Sequence, residues 1–427
     1  MSTVRKMTWS LVLGLAVVFG SSGTWAQEPS LENVKGEDEG KVIIIKQDGK
    51  EVKRVQIKEG KDDDEKIIVV VNSENGQEEE IIINTDDLDS DWGDLGESIG
   101  ESIGELIGSI GEWIGESGRQ LGRSFEGFGN THMARSESGN TRAYKETQSA
   151  YSRGTIKIDN IAGKVTLTAW DKNEIEVTGK LGEDVTRLDF KVDGDTADIE
   201  VVVPNGRKRK IRSELVVFAP RHSNVDIETI SASVTVIGFD EDSHKVDTTS
   251  GAILLENVSG ELDLESVSGS VTVKNADDEV KAGSVSGAVK IEGNNLSQVD
   301  AHNVSGSITI KGTSEEIDAN TVSGSIRIET GNAEEVKLES VAGSIIYEGG
   351  MDKNGELRAD SLSGSIRINF DEPVEGEYDL QTFSGSIRCS YGPDIKSRGK
   401  GKNIRFDVND GDASIRVETF SGSIVIE

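Results

Sequence analysis

From Tyr151 onward, short runs of alternating apolar and polar residues recur at a regular interval. The clearest unit is Val-Ser-Gly-Ser followed by apolar-x-apolar, at residues 267–273, 285–291, 304–310 and 322–328. Close variants follow at 341–347, 362–368, 383–389 and 420–426. A period of two marks a strand with one buried face. Gly251, Gly260, Gly269, Gly287, Gly306, Gly324, Gly343, Gly364, Gly385 and Gly422 set the register, at spacings of 9, 9, 18, 19, 18, 19, 21, 21 and 37. Nine, or about twice nine, implies two half-repeats per coil. The second half-repeat survives as Val299-Asp-Ala301, Ile317-Asp-Ala319, Val336-Lys-Leu338, Leu357-Arg-Ala359 and Tyr378-Asp-Leu380.

One such strand cannot bury its apolar side alone; stacked coils can. The pattern therefore predicts an all-β fold, a parallel β-solenoid (β-helix) over 151–427. About ten coils at ~4.8 Å each make a rod on the order of 50 Å long. Serines beside each glycine should form outward hydroxyl ladders. The glycine marks either a bend or a close approach of the facing sheet. The long interval before Gly422 holds Asn409, Asp410, Gly411 and Asp412 between two alternating runs, 404–408 and 414–417. It reads as a hairpin inserted before the terminal coil.

Upstream the pattern changes. Residues 27–90 form an acidic region of small β-hairpins, with turns at Asp48-Gly49 and Asn75-Gly76. In 91–130, Ile99, Ile103, Ile107, Ile110 and Ile114 recur every three or four residues, predicting an amphipathic helix. Gly96, Gly100, Gly104 and Gly108 make a smooth second stripe suited to close packing on the solenoid or on a second copy. Residues 131–150 are polar and read as a linker. Residues 1–26 have the grammar of a secretory signal: Arg5 and Lys6, an apolar run from Met7 to Gly20, and small residues up to Ala26.

The formal charge is −32, and loss of Arg5 and Lys6 with the signal leaves −34. Such a chain repels nucleic acid. The single cysteine, Cys389, excludes an intramolecular disulfide and occupies a strand position filled by Ile or Val in sister units. Outside the signal, no stretch is apolar enough to span a membrane.

The residues opening the repeat region carry a resemblance. Gly154-Thr-Ile-Lys-Ile-Asp-Asn-Ile-Ala-Gly163, Val165 to Leu167, Trp170-Asp171 and Glu174-Ile-Glu-Val177 resemble the start of the bacterial putative-adhesin β-solenoid domain, a family of unknown function. Leu188 to Pro204, Leu215 to Pro220 and the Ser-Gly repeats fit its remainder, so the resemblance covers roughly 150–427. It implies an exported bacterial β-solenoid, periplasmic or on the cell surface, and brings no catalytic residues.

Candidate chemistry is sparse. His132, His222, His244 and His302 lack the spacing of a metal site or triad. Asp87, Asp89 and Asp91 begin like a calcium loop, but Trp92 stands where glycine is required. Trp170 reads as a packing residue. No motif requires a cofactor. The acids appear spread through the corners, without the paired carboxylates of a polysaccharide-cleaving enzyme, the first rival class. A self-assembling scaffold is the second, favoured if the terminal coil near 424–426 is uncovered. The expected function is a non-enzymatic adhesin-like or structural module of the cell envelope. Its expected partners are a cell-surface glycan or another envelope protein, with self-association open. The outward residues between the two apolar positions of successive units are Thr272, Lys290, Thr309, Arg327, Ile346, Arg367 and Arg388. Arg327, Arg367 and Arg388 form a candidate anionic-ligand strip, with Arg367 and Arg388 expected on adjacent coils.

Overall fold

The computed structural model describes strand backbones between Ser30 and Asn84, and residues 141–427 apart from 205–209, 393–401 and 410. The signal segment and the helix expected over 91–130 lie outside the described residues. Two compact units divide between Gly104 and Glu105. In the first, Ser30–Lys35, Lys41–Gln47, Lys50–Glu59, Lys66–Asn72 and Glu78–Asn84 form an antiparallel sheet in chain order. Gln47 faces Lys50 across the Asp-Gly position.

The described part of the second unit is all β, and its ladders form one closed network. The strand Ile308–Thr321 exemplifies one coil. Ile308 and Ile310 point inward on a first arm; Ile317, Ala319 and Thr321 point inward on a second. The Val-Ser-Gly-Ser corner then leads to Ile326, one layer on. Pairing is parallel and in register: Ile308 faces Ile326, which faces Ile345, while Ile317 faces Val336, which faces Leu357. The degenerate half-repeats are therefore the second arm.

The corner glycines have a single cause. A Cβ on Gly324 would lie 1.7 Å from the Gly306 carbonyl oxygen, and one on Gly343 would lie 1.8 Å from that of Gly324. Corner backbones thus stack directly on one another. The close approach is to the preceding coil, at a bend, and not to the facing sheet. Three residues before each glycine stands a short polar side chain. The hydroxyls of Thr248, Ser266 and Ser284 accept from the N–H groups of Gly251, Gly269 and Gly287 at 2.9, 2.8 and 2.8 Å. Ser284 also donates to the Gly269 carbonyl at 2.9 Å, and Asn303 to that of Gly287 at 2.6 Å. These groups are fully buried. Each bond contributes about 1 kcal/mol, and an unmade one would leave a buried polar group costing about 1–3 kcal/mol.

Inward alternation predicts a sharp contrast between neighbouring layers. Ile326 is fully buried and Thr309, on the outer face, is half-exposed. Ile326→Asp should lose several kcal/mol by burying an unpaired carboxylate, and Thr309→Asp about 0.5 kcal/mol or less. Thermal unfolding of both variants checks this; equal midpoints would contradict the register.

Both ends of the repeat depart from the simple coil. Arg142–Ser149, read above as part of a linker, is a strand paired antiparallel with Glu174–Leu181. Most of its side chains are exposed, so its sequence lacks the apolar alternation that reveals other strands. At the far end, Lys402–Val408 and Ala413–Thr419 do not pair with each other, which corrects the expected hairpin. They flank Gly376–Thr382 on opposite sides, antiparallel and parallel respectively. Ala413–Thr419 thereby lies between Gly376–Thr382 and the second-arm segment 356–361. Ile424–Ile426 likewise lies between Ile366–Phe370 and Ile387–Cys389. The last coil in sequence is an interior layer of the stack. Ile424–Ile426 is therefore no exposed terminal rung. Lys402–Val408 lies outermost in its sheet, with Phe406 stacked on Tyr378 at a 5.1 Å centroid distance. Its Lys402, Arg405 and Asp407 suit an edge that must resist further pairing.

Candidate functional site

The outer face of the first arm carries a ladder set by register. Its order is Leu254, Thr272, Lys290, Thr309, Arg327, Ile346, Arg367, Val425 and Arg388. Arg367 and Arg388 are thus not on adjacent coils: the intercalated C-terminal strand puts Val425 between them. Arg327, Arg367 and Arg388 are spaced two layers apart, about 9.6 Å for each step. Most cations on this face are neutralised. Lys274 pairs with Glu256 at 2.8 Å, Lys290 with Glu292 at 2.5 Å, Lys311 with Glu329 at 2.5 Å and Arg327 with Glu348 at 3.3 Å. Arg367 and Arg388 are exposed and form no ion pair with a described residue. Ser344, Ser365 and Ser386 run beside the strip, exposed as the expected hydroxyl ladder.

The outer face of the second arm gathers acids that the sequence reading spread through the corners. Register stacks Glu200, Asp159, Glu228, Asp247 and Glu265 in consecutive layers. Further along, Glu339, Asp360 and Glu418 stack in the same column. Burial pushes Asp159 up to about 6, Asp247 to about 7 and Glu339 to about 7, with neighbouring carboxylates adding to the effect. The signal was present in the sequence, since each acid stands two residues after another outward position of the half-repeat. It becomes a column only once the layers are aligned.

Carboxylates one layer apart resemble the paired acids of a glycosidase, and a pKa near 7 suits a general acid. Asp247, however, is only 2% exposed, so a substrate cannot touch it. His132, Asp87, Asp89 and Asp91 lie outside the described residues, and the remaining candidates are structural. Buried His244 contacts the Ser259 carbonyl at 3.1 Å, and burial lowers its pKa to about 4. His222 lies 2.6 Å from Asp240, and His302 lies 2.9 Å from Asn320. Trp170 stacks on Phe218 at 5.4 Å and donates to the Glu174 carbonyl at 2.8 Å, a packing role. Cys389 packs against the core, and burial raises its thiol pKa. Among the described residues no group of three His, Cys, Asp or Glu side chains could hold a metal, and no helix is long and apolar enough to cross a membrane.

The acidic column predicts an unusual pH dependence. Asp247 rises from 3.8 to about 7 on folding, so the folded state binds protons more tightly than the unfolded one. That contribution to stability is fully present below pH 3.8 and is lost as pH rises through about 7. His244 acts oppositely, its contribution fading as pH falls from 6.5 towards about 4. Asp247→Asn should therefore raise the unfolding midpoint at pH 8 and leave it nearly unchanged at pH 4. Calorimetry at the two pH values checks the sign; a lower midpoint at pH 8 would contradict it.

A family model matches the chain over residues 26–321 and again over 311–427, in both cases Toastrack DUF4097. The chain belongs to the Toastrack DUF4097 family. Among solved structures, this Toastrack chain is similar to a putative adhesin from Parabacteroides merdae, at 15% identity and a TM-score of 0.35. That alignment covers 55% of this chain and 96% of the other. A putative lipid binding protein from Parabacteroides distasonis gives 15% identity and a TM-score of 0.34, covering 68% and 97%. A putative adhesin from the same species gives 14% and 0.31, covering 68% and 98%. No curated protein matches the chain. The family match, and not these pairings, assigns the Toastrack chain.

Proposed function

We propose that this Toastrack chain is an exported, non-catalytic binding module of the bacterial cell envelope, and that it holds an anionic polymer on the outer face of its first arm. One observation carries the reading: Arg367 and Arg388 keep exposed guanidinium groups without an ion pair to a described residue, on a face where Lys274, Lys290, Lys311 and Arg327 are each paired with a glutamate. Guanidinium groups suit carboxylate or sulfate through paired hydrogen bonds. The serine column beside them supplies hydroxyls for sugar hydroxyls. The signal-like grammar of residues 1–26 supports export. The carboxylate column does not support hydrolysis, because the two acids raised to about 7, Asp247 and Glu339, are both buried.

Replacing Arg367 and Arg388 together with serine should weaken binding to anionic polysaccharide by about tenfold or more, each lost charged hydrogen bond costing about 1.5–3 kcal/mol. Binding to neutral polysaccharide should not change. Calorimetric titration of parent and variant decides the matter. Failure of the parent to bind any anionic polysaccharide, or unchanged affinity in the variant, would overturn the reading.

A further inference from the structure

The strip has a periodicity that only the layer order reveals. Read along the stack, the outward positions are Arg327, Ile346, Arg367, Val425 and Arg388. Cation and aliphatic side chain alternate layer by layer. In chain order the same face would read Arg327, Ile346, Arg367, Arg388, Val425, with two arginines in contact. Insertion of the C-terminal strand creates the regular alternation. Ile346 and Val425 are half-exposed, so each intervening layer offers apolar surface between two cations.

We infer that the first-arm face reads a linear glycan in which charged and uncharged sugars alternate. This rests on the proposed polyanion binding and specifies its ligand. An extended pyranose linked across its ring advances by a distance close to the layer spacing, the layers lying ~4.8 Å apart. A polymer lying along the stack then meets one side-chain layer per sugar. Carboxylates or sulfates on every second sugar fall opposite Arg327, Arg367 and Arg388. The uncharged sugars between them lay C–H surface on Ile346 and Val425. A polymer charged on every sugar would bring one anion in each two-layer repeat against an aliphatic side chain, Ile346 or Val425, desolvating charge without a partner. Arg327 already contacts Glu348 at 3.3 Å and must release it to engage, which makes Arg367 and Arg388 the stronger anchors. The chain's large negative charge does not preclude contact, because exposed charges farther than about 8 Å are largely screened at 0.15 M salt.

The test compares hyaluronan oligosaccharides, which alternate a uronate with a neutral amino sugar, with oligogalacturonate of equal length and with a neutral cello-oligosaccharide. Titrations use the full chain at 0.15 M salt. Hyaluronan oligosaccharide is expected to bind about tenfold tighter than oligogalacturonate despite carrying half the charge. The second arm of the test is Val425→Arg, which fills the gap between Arg367 and Arg388 on an outward position; retained thermal stability shows that the variant folds. The substitution should erase or invert the preference. Equal or tighter oligogalacturonate binding by the parent overturns the alternation while leaving polyanion binding intact. So does an unchanged preference in a folded Val425→Arg variant. Absence of binding to both anionic oligomers overturns both proposals.

Discussion

A chain carrying Gly324→Val is expected to lose the cooperative fold of its central coils. The added Cβ would stand 1.7 Å from the Gly306 carbonyl oxygen and 2.6 Å from its carbon. Both clashing partners are backbone, so no rotamer change can relieve them. The corner must lift away from the preceding coil. Lifting breaks the ladder bonds to that coil, including Ser323 N–H to the Val304 carbonyl at 2.9 Å and Ile308 N–H to the Ser325 carbonyl at 2.9 Å. It also detaches the Gly324 N–H from the Thr321 hydroxyl, 3.1 Å away. Overpacking that moves backbone, with several hydrogen bonds lost, places the cost beyond about 4 kcal/mol. Ser325→Val is the control, since Ser325 is exposed one residue along. Its unfolding midpoint should stay within a few degrees of the parent's, at a cost of about 0.5 kcal/mol. Comparable losses in the two variants would remove the stacked-corner explanation.

Deleting residues 413–427 should have an equally large effect, localised differently. The deletion removes Ile415, Val417, Ile424 and Ile426, all buried to within 1%. Losing four such side chains costs roughly 6–12 kcal/mol at about 1.5–3 kcal/mol each. It also leaves Gly376–Thr382 two layers from segment 356–361, about 9.6 Å, with the two edges that face the gap unpaired. Hydrogen exchange is expected to accelerate strongly over 376–389 and 402–408, while the amides of 262–328 keep most of their protection. Uniform loss of protection along the whole solenoid, or none at all, would show that the inserted layer does not hold this end together.

The legible part of this fold is whatever a coil repeats. Ile326, Ile328 and their counterparts alternate with outward residues, so the inward face could be assigned from the sequence, and the degenerate half-repeats resolve into a second arm in the same register. The buried column Thr248, Ser266, Ser284 and Asn303 was hidden because Ser, Thr and Asn suit an exposed turn equally well; burial alone separates them from the serines beside each glycine. Arg142–Ser149 escaped because an edge strand with exposed side chains on both faces carries no period. The order of the last layers was illegible for a deeper reason. Leu362-Ser-Gly, Phe383-Ser-Gly and Phe420-Ser-Gly are equivalent corner motifs, so local sequence fits each to any layer. Their order is decided by long-range pairing, of which the stacked Phe383 and Phe420 rings, 4.8 Å apart, are a product. The candidate strip inherited that error: its residues could be named, but their spacing could not.

The inserted layer has a kinetic consequence. In a solenoid whose coils stack in chain order, folding spreads from any stable nucleus by adding the next coil along the sequence. Here that propagation halts after Ile366–Phe370, because the next strand to arrive, Gly376–Thr382, belongs one rung farther out. The rung between them is filled by residues synthesised later, so a gap must be held open or reopened before the stack is complete. Loop closure over this longer separation is slow compared with local coil addition. Refolding from denaturant is accordingly expected in two phases, a fast one reporting the central coils and a slower one reporting burial of Tyr378 and Phe406. Deletion of 413–427 should abolish only the slow phase. The far end of the stack is thus a latch that closes last, and the regular spacing of its three arginines exists only once the latch has closed.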